Sequence, residues 1–341
     1  MKVKLSNQTI SRAAVAASLT LGFVVFAAPA FAPAIISFDV PGSSATYALG
    51  INVAWTIAGE YVDANGHRHG FIRDVRGAFT TFDPPGSTST SALGINMEST
   101  ITGSYADANS QTHGYVRDRQ GTITSFDPTG STATVPYGIN AAGAISGYYK
   151  DANNQPHGFV RDRQGAITSF DVMGDWTVAA YINAEGSTMG YYNDANNQPH
   201  GFVRDRQGTI TTFDVAGANQ TVGRNINDAG AVAGYYRDAS DGNYKGFVRN
   251  SQGSIATFDA AGGTRTIPAA VNEIGVVTGY YYNPNSSQAH GFAMKPTGMV
   301  IASFDPVGSV STVPWAINAD GAITGFYQDA NNISHGFVRV P

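Results

Sequence analysis

The chain has 341 residues, 40 of them glycine, with no cysteine, 13% charged residues and a formal charge of −5. Disulfides, thiol catalysis, cysteine metal sites and a lipidated cysteine are thereby excluded, and the acidic balance argues against nucleic acid and anionic membranes as partners. Apolar residues make up 42% of the chain, too many for disorder, and the density of Gly, Thr, Val and aromatics suits an all-β protein with many tight turns.

The chain begins with a leader. Lys2, Lys4 and Arg12 precede an apolar run over residues 13–28, and small residues follow in "AAPAFAPA". This is the three-part pattern of a secretory signal peptide, with an apolar run short for a membrane span of about 20 residues. Cleavage is expected near Ala30, leaving residues 31–341 as one mature domain, secreted or periplasmic and without a membrane span. Loss of three cations and no anion takes the net charge to near −8.

The mature chain repeats itself. "FD" recurs at Phe38, Phe82, Phe126, Phe170, Phe213, Phe258 and Phe304, at spacings of 44, 44, 44, 43, 45 and 46 residues. Asparagine closes a short apolar run at Asn52, Asn96, Asn140, Asn183, Asn227, Asn272 and Asn318. The "HG" position falls at His69, His113, His157, His200, Lys245, His290 and His335. Length alone would suggest two domains, but a repeat of this period sets the architecture first.

Unit three reads as four strands in order: "VPYGIN", "AISGYYK", "HGFVRD" and "AITSFD". The turns "NAAG" and "DRQG" have the chemistry of a type I turn with a bulge, and "DANNQP" is a longer loop. Four antiparallel strands in about 44 residues make a propeller blade. The predicted fold is therefore a seven-bladed β-propeller of four-stranded antiparallel blades. The seventh unit stops after its third strand, and "AIISFDV" from Ala34 supplies the fourth, closing the ring at the last blade. Units one and two lack the first turn glycine ("NVAWT", "NMEST"), so less regular hairpins are expected there.

Pairing the third and fourth strands across "DRQG" sets Asp162 opposite Ala166, His157 opposite Asp171 and Gly158 opposite Phe170. The same register pairs His113 with Asp127, His69 with Asp83, His200 with Asp214 and Lys245 with Asp259. The recurrent words are thus structural: a cross-strand polar pair and an aromatic ring over a glycine, the ring mattering more. The His–Asp pairs sit on outer strands with no recurrent nucleophile, so no catalytic residue is assigned. Glu60, Glu98, Glu185 and Glu273 are scattered over four units and make no carboxylate pair. Asp63, His67 and His69 read as a solvated loop, and "DANN" as Asn/Asp turns; no metal and no cofactor is expected.

Chain direction places the Asp-bearing loops on one face and the tight turns on the other. Arg73, Arg117, Arg161, Arg204, Arg249 and Arg339 then read as solvated residues of a basic face. Function is sought where the units differ. Three positions before the closing asparagine stand Leu49, Leu93, Tyr137, Ala180, Arg224, Ala269 and Trp315, and unit four adds Trp176 and Tyr181. The candidate ligand-binding residues are Tyr137, Trp176, Tyr181, Arg224 and Trp315, at the loop-face mouth of the channel. The aromatics offer flat surface and the arginine a forked donor, suited to a protein or glycan ligand.

The unit "GINAAGAISGYYKDANNQPHGFVRDRQGAITSFD" resembles the bacterial extracellular HAF repeat family, in which a segment like IN-x-x-G-x-x-x-G precedes "HAF". The resemblance runs from about Ile35 to the C-terminus. Here "HGF", "HGY" or "KGF" replaces HAF, and "FD" stands where the family often has "LG". The resemblance implies a secreted repeat protein and brings no catalytic residues. The expected function is an exported, monomeric, non-enzymatic binding module. A carbohydrate-active propeller (lectin, lyase or hydrolase) and a structural cell-surface protein remain open on residues alone.

Overall fold

Glycine and Asx turns cut each unit into runs of four to nine residues, too short for stable helices and rich in side chains that pack on a pleated surface. A computed structural model describes residues 34–173, 176–260, 263–295 and 300–341. The predicted leader, residues 1–30, lies outside them. The described residues hold 28 strands and no helix. Unit three consists of Ala133–Ile139, Ile145–Lys150, Pro156–Arg161 and Ile167–Phe170, each antiparallel to the next. The same four-strand order recurs along the chain, with single parallel bridges joining Thr112 to Ala133 and Tyr244 to Arg265. The last strands, Ser311–Ile317, Ile323–Gln328 and Ser334–Arg339, take their fourth from the other end of the chain. Ile35–Phe38 pairs with Ser334–Arg339, and Phe38 stands opposite Gly336.

The third and fourth strands keep the expected register, with Gly158 opposite Phe170 and Arg161 opposite Ile167. His157 Nδ1 lies 2.9 Å from Asp171. His69–Asp83, His113–Asp127, His200–Asp214, His290–Asp305 and His335–Asp39 are paired at 2.7–2.9 Å. Each of these rings also lies against a tyrosine, and all but His290 face a loop aspartate as well. The His157 ring stacks on Tyr149 at 5.1 Å, and its Nε2 faces the loop carboxylate of Asp151 at 3.8 Å.

Unit five departs from the expected pair. Lys245 leaves Asp259 and binds Asp238 at 2.7 Å and Asp241 at 2.9 Å. The longer loop "DASDGN" adds a carboxylate, and a flexible four-carbon stem carries the ammonium to where two negative charges meet. The Asp259 carboxyl is pushed up, chiefly by its own burial.

Phe170 covers Gly158, where a Cβ would meet the ring at 2.9 Å. That ring is only half-buried, although it also packs against the next unit. The fully buried aromatic is the one in "HGF": Phe159, like Phe71, Tyr115, Phe202, Phe247, Phe292 and Phe337, is 0% exposed. The two kinds of ring meet between units, edge to face: Phe126 with Phe159 at 6.0 Å and Phe170 with Phe202 at 5.9 Å. The arginine ending the third strand then lies over the same outer ring, Arg161 over Phe126 at 4.8 Å and Arg204 over Phe170 at 4.9 Å. Arg73, Arg117, Arg249 and Arg339 repeat the contact over Phe38, Phe82, Phe213 and Phe304. The expected solvated basic face is therefore corrected. These guanidiniums pack between units, each contact worth about 0.5–2 kcal/mol.

The first turns of units one and two are also regular, against expectation. Trp55 and Ser99 adopt φ of 61° and 60° where Gly143 has 81°. The turn bonds match: Trp55 N–H to Asn52 O and Gly143 N–H to Asn140 O are both 3.0 Å. The hairpin imposes the left-handed conformation on ordinary side chains at about 1–2 kcal/mol each.

Each first strand ends on an asparagine that is 3–6% exposed. In unit three its Oδ1 accepts the N–H of Ala144 at 2.9 Å. Its Nδ2 donates to the carbonyl of the next unit's asparagine, Asn183, at 2.9 Å. Asn52, Asn96, Asn183, Asn227 and Asn272 donate forward in the same way at 2.9–3.2 Å. Asn318 donates to Asn52 at 3.1 Å, which returns the series to its start.

Removal of residues 34–40 bares the Ser334–Arg339 edge, and a lower melting temperature with larger species in size-exclusion chromatography is expected. An unchanged melting curve and elution volume would contradict this. In urea denaturation Phe159→Ala should cost about 3–5 kcal/mol, and His157→Ala no more than about 1 kcal/mol.

Candidate functional site

Every first strand skips a residue near its end that has no partner across the hairpin, and unit five skips Asn219 as well. Pairing passes from Pro136–Gly147 to Gly138–Ser146 and skips Tyr137, which forms a β-bulge. The bulge falls on Leu49, Leu93, Ala180, Arg224, Ala269 and Trp315 in the other units. These are the seven positions that the sequence singled out as varied. A bulge re-aims its side chain while the flanking ladder stays intact. It demands glycine across the hairpin, since a Cβ on Gly147 would overlap the carbonyl oxygen of Val135.

Four of the five sequence candidates come together. Tyr137, Tyr181, Arg224 and Trp315 line one cavity of about 140 Å³, with Tyr191 beside them. The Arg224 guanidinium lies 5.5 Å from the Trp315 ring centroid, and Tyr137 packs on Tyr148 at 5.9 Å. Trp176 does not join them. It is half-buried at the start of its strand, opposite Asn193. Burial, then the neighbouring Tyr148, pushes the Tyr137 phenol up to about 12, against the opposing charge of Arg224. Burial likewise raises Tyr181 and Tyr191. All three are neutral hydroxyls near neutral pH. The lining contains no Asp, Glu or His. Such a surface can stack, donate hydrogen bonds and hold a negative group, and it offers no acid–base pair.

A cavity of about 140 Å³ is smaller than the roughly 300–1,000 Å³ in which proteins hold small molecules. It has a neighbour. Tyr191 and Arg224 also line a cavity of about 410 Å³, together with Tyr235, Tyr244, Arg265 and Tyr280. Tyr191 and Arg224 form walls of both, so the two cavities adjoin. The sequence reading missed this second part, although the signal was present. The residue after the second-strand glycine is Tyr148, Tyr191, Tyr235 and Tyr280 in units three to six, but Glu60 and Ser104 in units one and two. There Glu60 is occupied by Arg68 and Ser91.

Six of the seven closing asparagines, all but Asn227, line a further cavity of about 340 Å³ that Asp228 and Glu273 also line. Asp228 Oδ1 accepts the Ala184 N–H at 2.7 Å and Glu273 Oε2 the Asp228 N–H at 2.9 Å, so both carboxylates serve the backbone. Among the described residues no group of three His, Asp or Glu is placed to hold a metal ion, and no helix is long and apolar enough to cross a membrane.

No family model matches the chain, and no curated protein matches it in sequence. Solved structures do match. A catalytically inactive virginiamycin B lyase from Staphylococcus aureus, with quinupristin, aligns at a TM-score of 0.62 and 14% identity over 91% of this chain and 100% of that one. The β-propeller domain of the Trilobed protease from Pyrococcus furiosus aligns at 0.59 and 8% identity, over 86% and 95% of the two chains. TolB from Acinetobacter baumannii aligns at 0.51 and 16%, over 72% and 62%. The fold is a β-propeller. Identities this low carry the architecture and nothing of an activity.

The polar clusters on the outer strands make a pH dependence. Burial opposes protonation of His69 and His113, but the hydrogen bonds and charges of their two flanking aspartates outweigh it and raise both rings. Their contribution is complete below the unfolded value of about 6.5 and fades as pH rises through the raised folded value. A His69→Gln, His113→Gln protein should therefore melt below the wild type at about pH 6, with a smaller gap at about pH 8.5. A gap independent of pH would contradict the assignment.

Proposed function

We propose that the protein is an exported, non-enzymatic binding module of the HAF repeat kind: a seven-bladed propeller of one domain, residues 31–341, acting outside the cytoplasm as a monomer. The seven-unit ring is supported by the asparagine series that returns from Asn318 to Asn52 and by the pairing of Ile35–Phe38 with Ser334–Arg339. Export is supported by the leader pattern alone.

The binding role rests on one observation. The position that the repeat leaves free of ladder pairing varies from leucine to arginine and tryptophan, and its largest members, Tyr137, Arg224 and Trp315, gather with Tyr181 in one cavity. Drift in a packed core would exchange aliphatics of similar size. Here an arginine and three aromatics gather in a carboxylate-free cavity, the composition of a recognition surface. A carbohydrate-active enzyme would need convergent acid and base groups, and the cleft lining supplies hydroxyls, amides and guanidiniums instead.

A glycan array probed with purified residues 31–341 tests the reading. Arg224→Ala and Trp315→Ala should each weaken a retained glycan about tenfold with little change in melting temperature. Arg161→Ala, packed over Phe126 between units, should lower stability and leave affinity unchanged. The reverse pattern would move the site away from the axis.

A further inference from the structure

The larger cavity is lined by cations without anions. Of its twelve lining residues two are arginines, Arg224 and Arg265, and none is acidic. Among the described residues neither guanidinium is paired with a carboxylate, although the chain holds 25 Asp and Glu against 20 Lys and Arg. Several other arginines are engaged: Arg68 by Glu60, Arg163 by Glu98, and the third-strand series by phenylalanine rings. Arg224 and Arg265 instead lie over aromatic rings, and among the described residues neither guanidinium donates a hydrogen bond. Arg224 lies over Trp315 at 5.5 Å, and Arg265 lies over Tyr244 at 5.4 Å and Tyr282 at 5.2 Å. A stacked guanidinium keeps its planar fork for a carboxylate and loses little freedom on meeting one.

The neutral groups in the same cleft narrow the class. Tyr235 and Tyr280 have phenols raised first by burial, with Arg224 opposing, so they stay protonated and can both donate and accept. Asn193, Asn197 and Gln220 add amides with the same double capacity. Sugar hydroxyls also donate and accept, and a sugar ring presents an apolar face to an aromatic one. Aliphatic surface for a peptide side chain is confined to Val222 and Ile267, with Pro199 at the margin.

We propose that the cleft binds an anionic saccharide chain, with carboxylate groups meeting Arg265 and Arg224 and one end of the chain entering the cavity of Tyr137, Tyr181 and Trp315. This rests on the axial binding reading and adds the ligand's chemistry and a second anchor, Arg265, outside the bulge positions. About 410 Å³ beside about 140 Å³ gives room for more than one sugar ring, and the shared Arg224 stands where the two parts join.

Isothermal titration of the mature protein with tetragalacturonate, its fully methyl-esterified form and tetraglutamate tests this. Tetragalacturonate should bind, and esterification should weaken it about tenfold or more, the loss expected for a charge-assisted bond. Arg265→Gln should reduce acid-form affinity by about tenfold, leave the ester unaffected and keep the melting temperature. No binding of tetragalacturonate, equal binding of acid and ester, or tetraglutamate binding as tightly would each overturn the proposal. If the ester binds as well as the acid and Trp315→Ala weakens both, the axial site stands and the anionic class falls.

Discussion

A buried asparagine amide has lost its water and must find every partner inside the protein. At the end of each first strand that need is met by two neighbours. The oxygen holds the strand's own turn, and the nitrogen holds the next unit's backbone. The reach of this short side chain fixes how far apart adjacent first strands can stand. The residue three positions earlier lines one shared cavity in units three to seven. Each amide left without its partner would cost about 1–3 kcal/mol, and the series has no loose end at which such a cost could be avoided. The axial cavity is a by-product of this spacing.

Away from the axis the units are joined by aromatic contacts with arginine laid across them. The arrangement is not free of cost: Nε of Arg73, Arg117, Arg161 and Arg249 is buried without a hydrogen-bond partner. A buried threonine of the first strand shows how one position can serve two sequences. Where proline follows "FD", no N–H is available at that point, and Thr90 donates to Asp83 at 2.6 Å. Where valine follows, the Val172 N–H donates to Thr177 at 2.9 Å. The hydroxyl reverses its role and the backbone path stays the same.

Much of this was legible in the sequence because it depends on local rules. Turn chemistry and strand alternation set the third-to-fourth strand register, and with it His157 beside Asp171 and Phe170 over Gly158. The pairing of Phe38 with Gly336 followed from counting strands. What stayed hidden depends on the angle between neighbouring sheets, which no local pattern encodes. Arg161 looked like a solvated turn residue until the Phe126 ring of the preceding unit was placed beneath it. Lys245 was misassigned because a side chain that long selects among carboxylates by distance in space. At the axis, variation singled out Tyr137, Arg224 and Trp315 without revealing that they are bulges, and it gave Trp176 equal weight although its strand position faces elsewhere. Tyr235, Tyr280 and Arg265 escaped notice because each looks ordinary within its own unit.

The bulge separates two jobs that most strand residues must do together. An ordinary residue of a ladder donates and accepts along the sheet, so replacing it disturbs the register of its neighbours as well as the surface it presents. The skipped residue belongs to no such pair, and its hairpin closes the same way over Leu49, Ala180 or Arg224. Tyr137, Ala180, Arg224, Ala269 and Trp315 therefore fill interchangeable sockets around one cavity, each able to accept a small, aliphatic, aromatic or charged insert on an unaltered frame. A lineage built on this frame can exchange what it recognises by single substitutions, while the asparagines and phenylalanines that hold the frame stay the same.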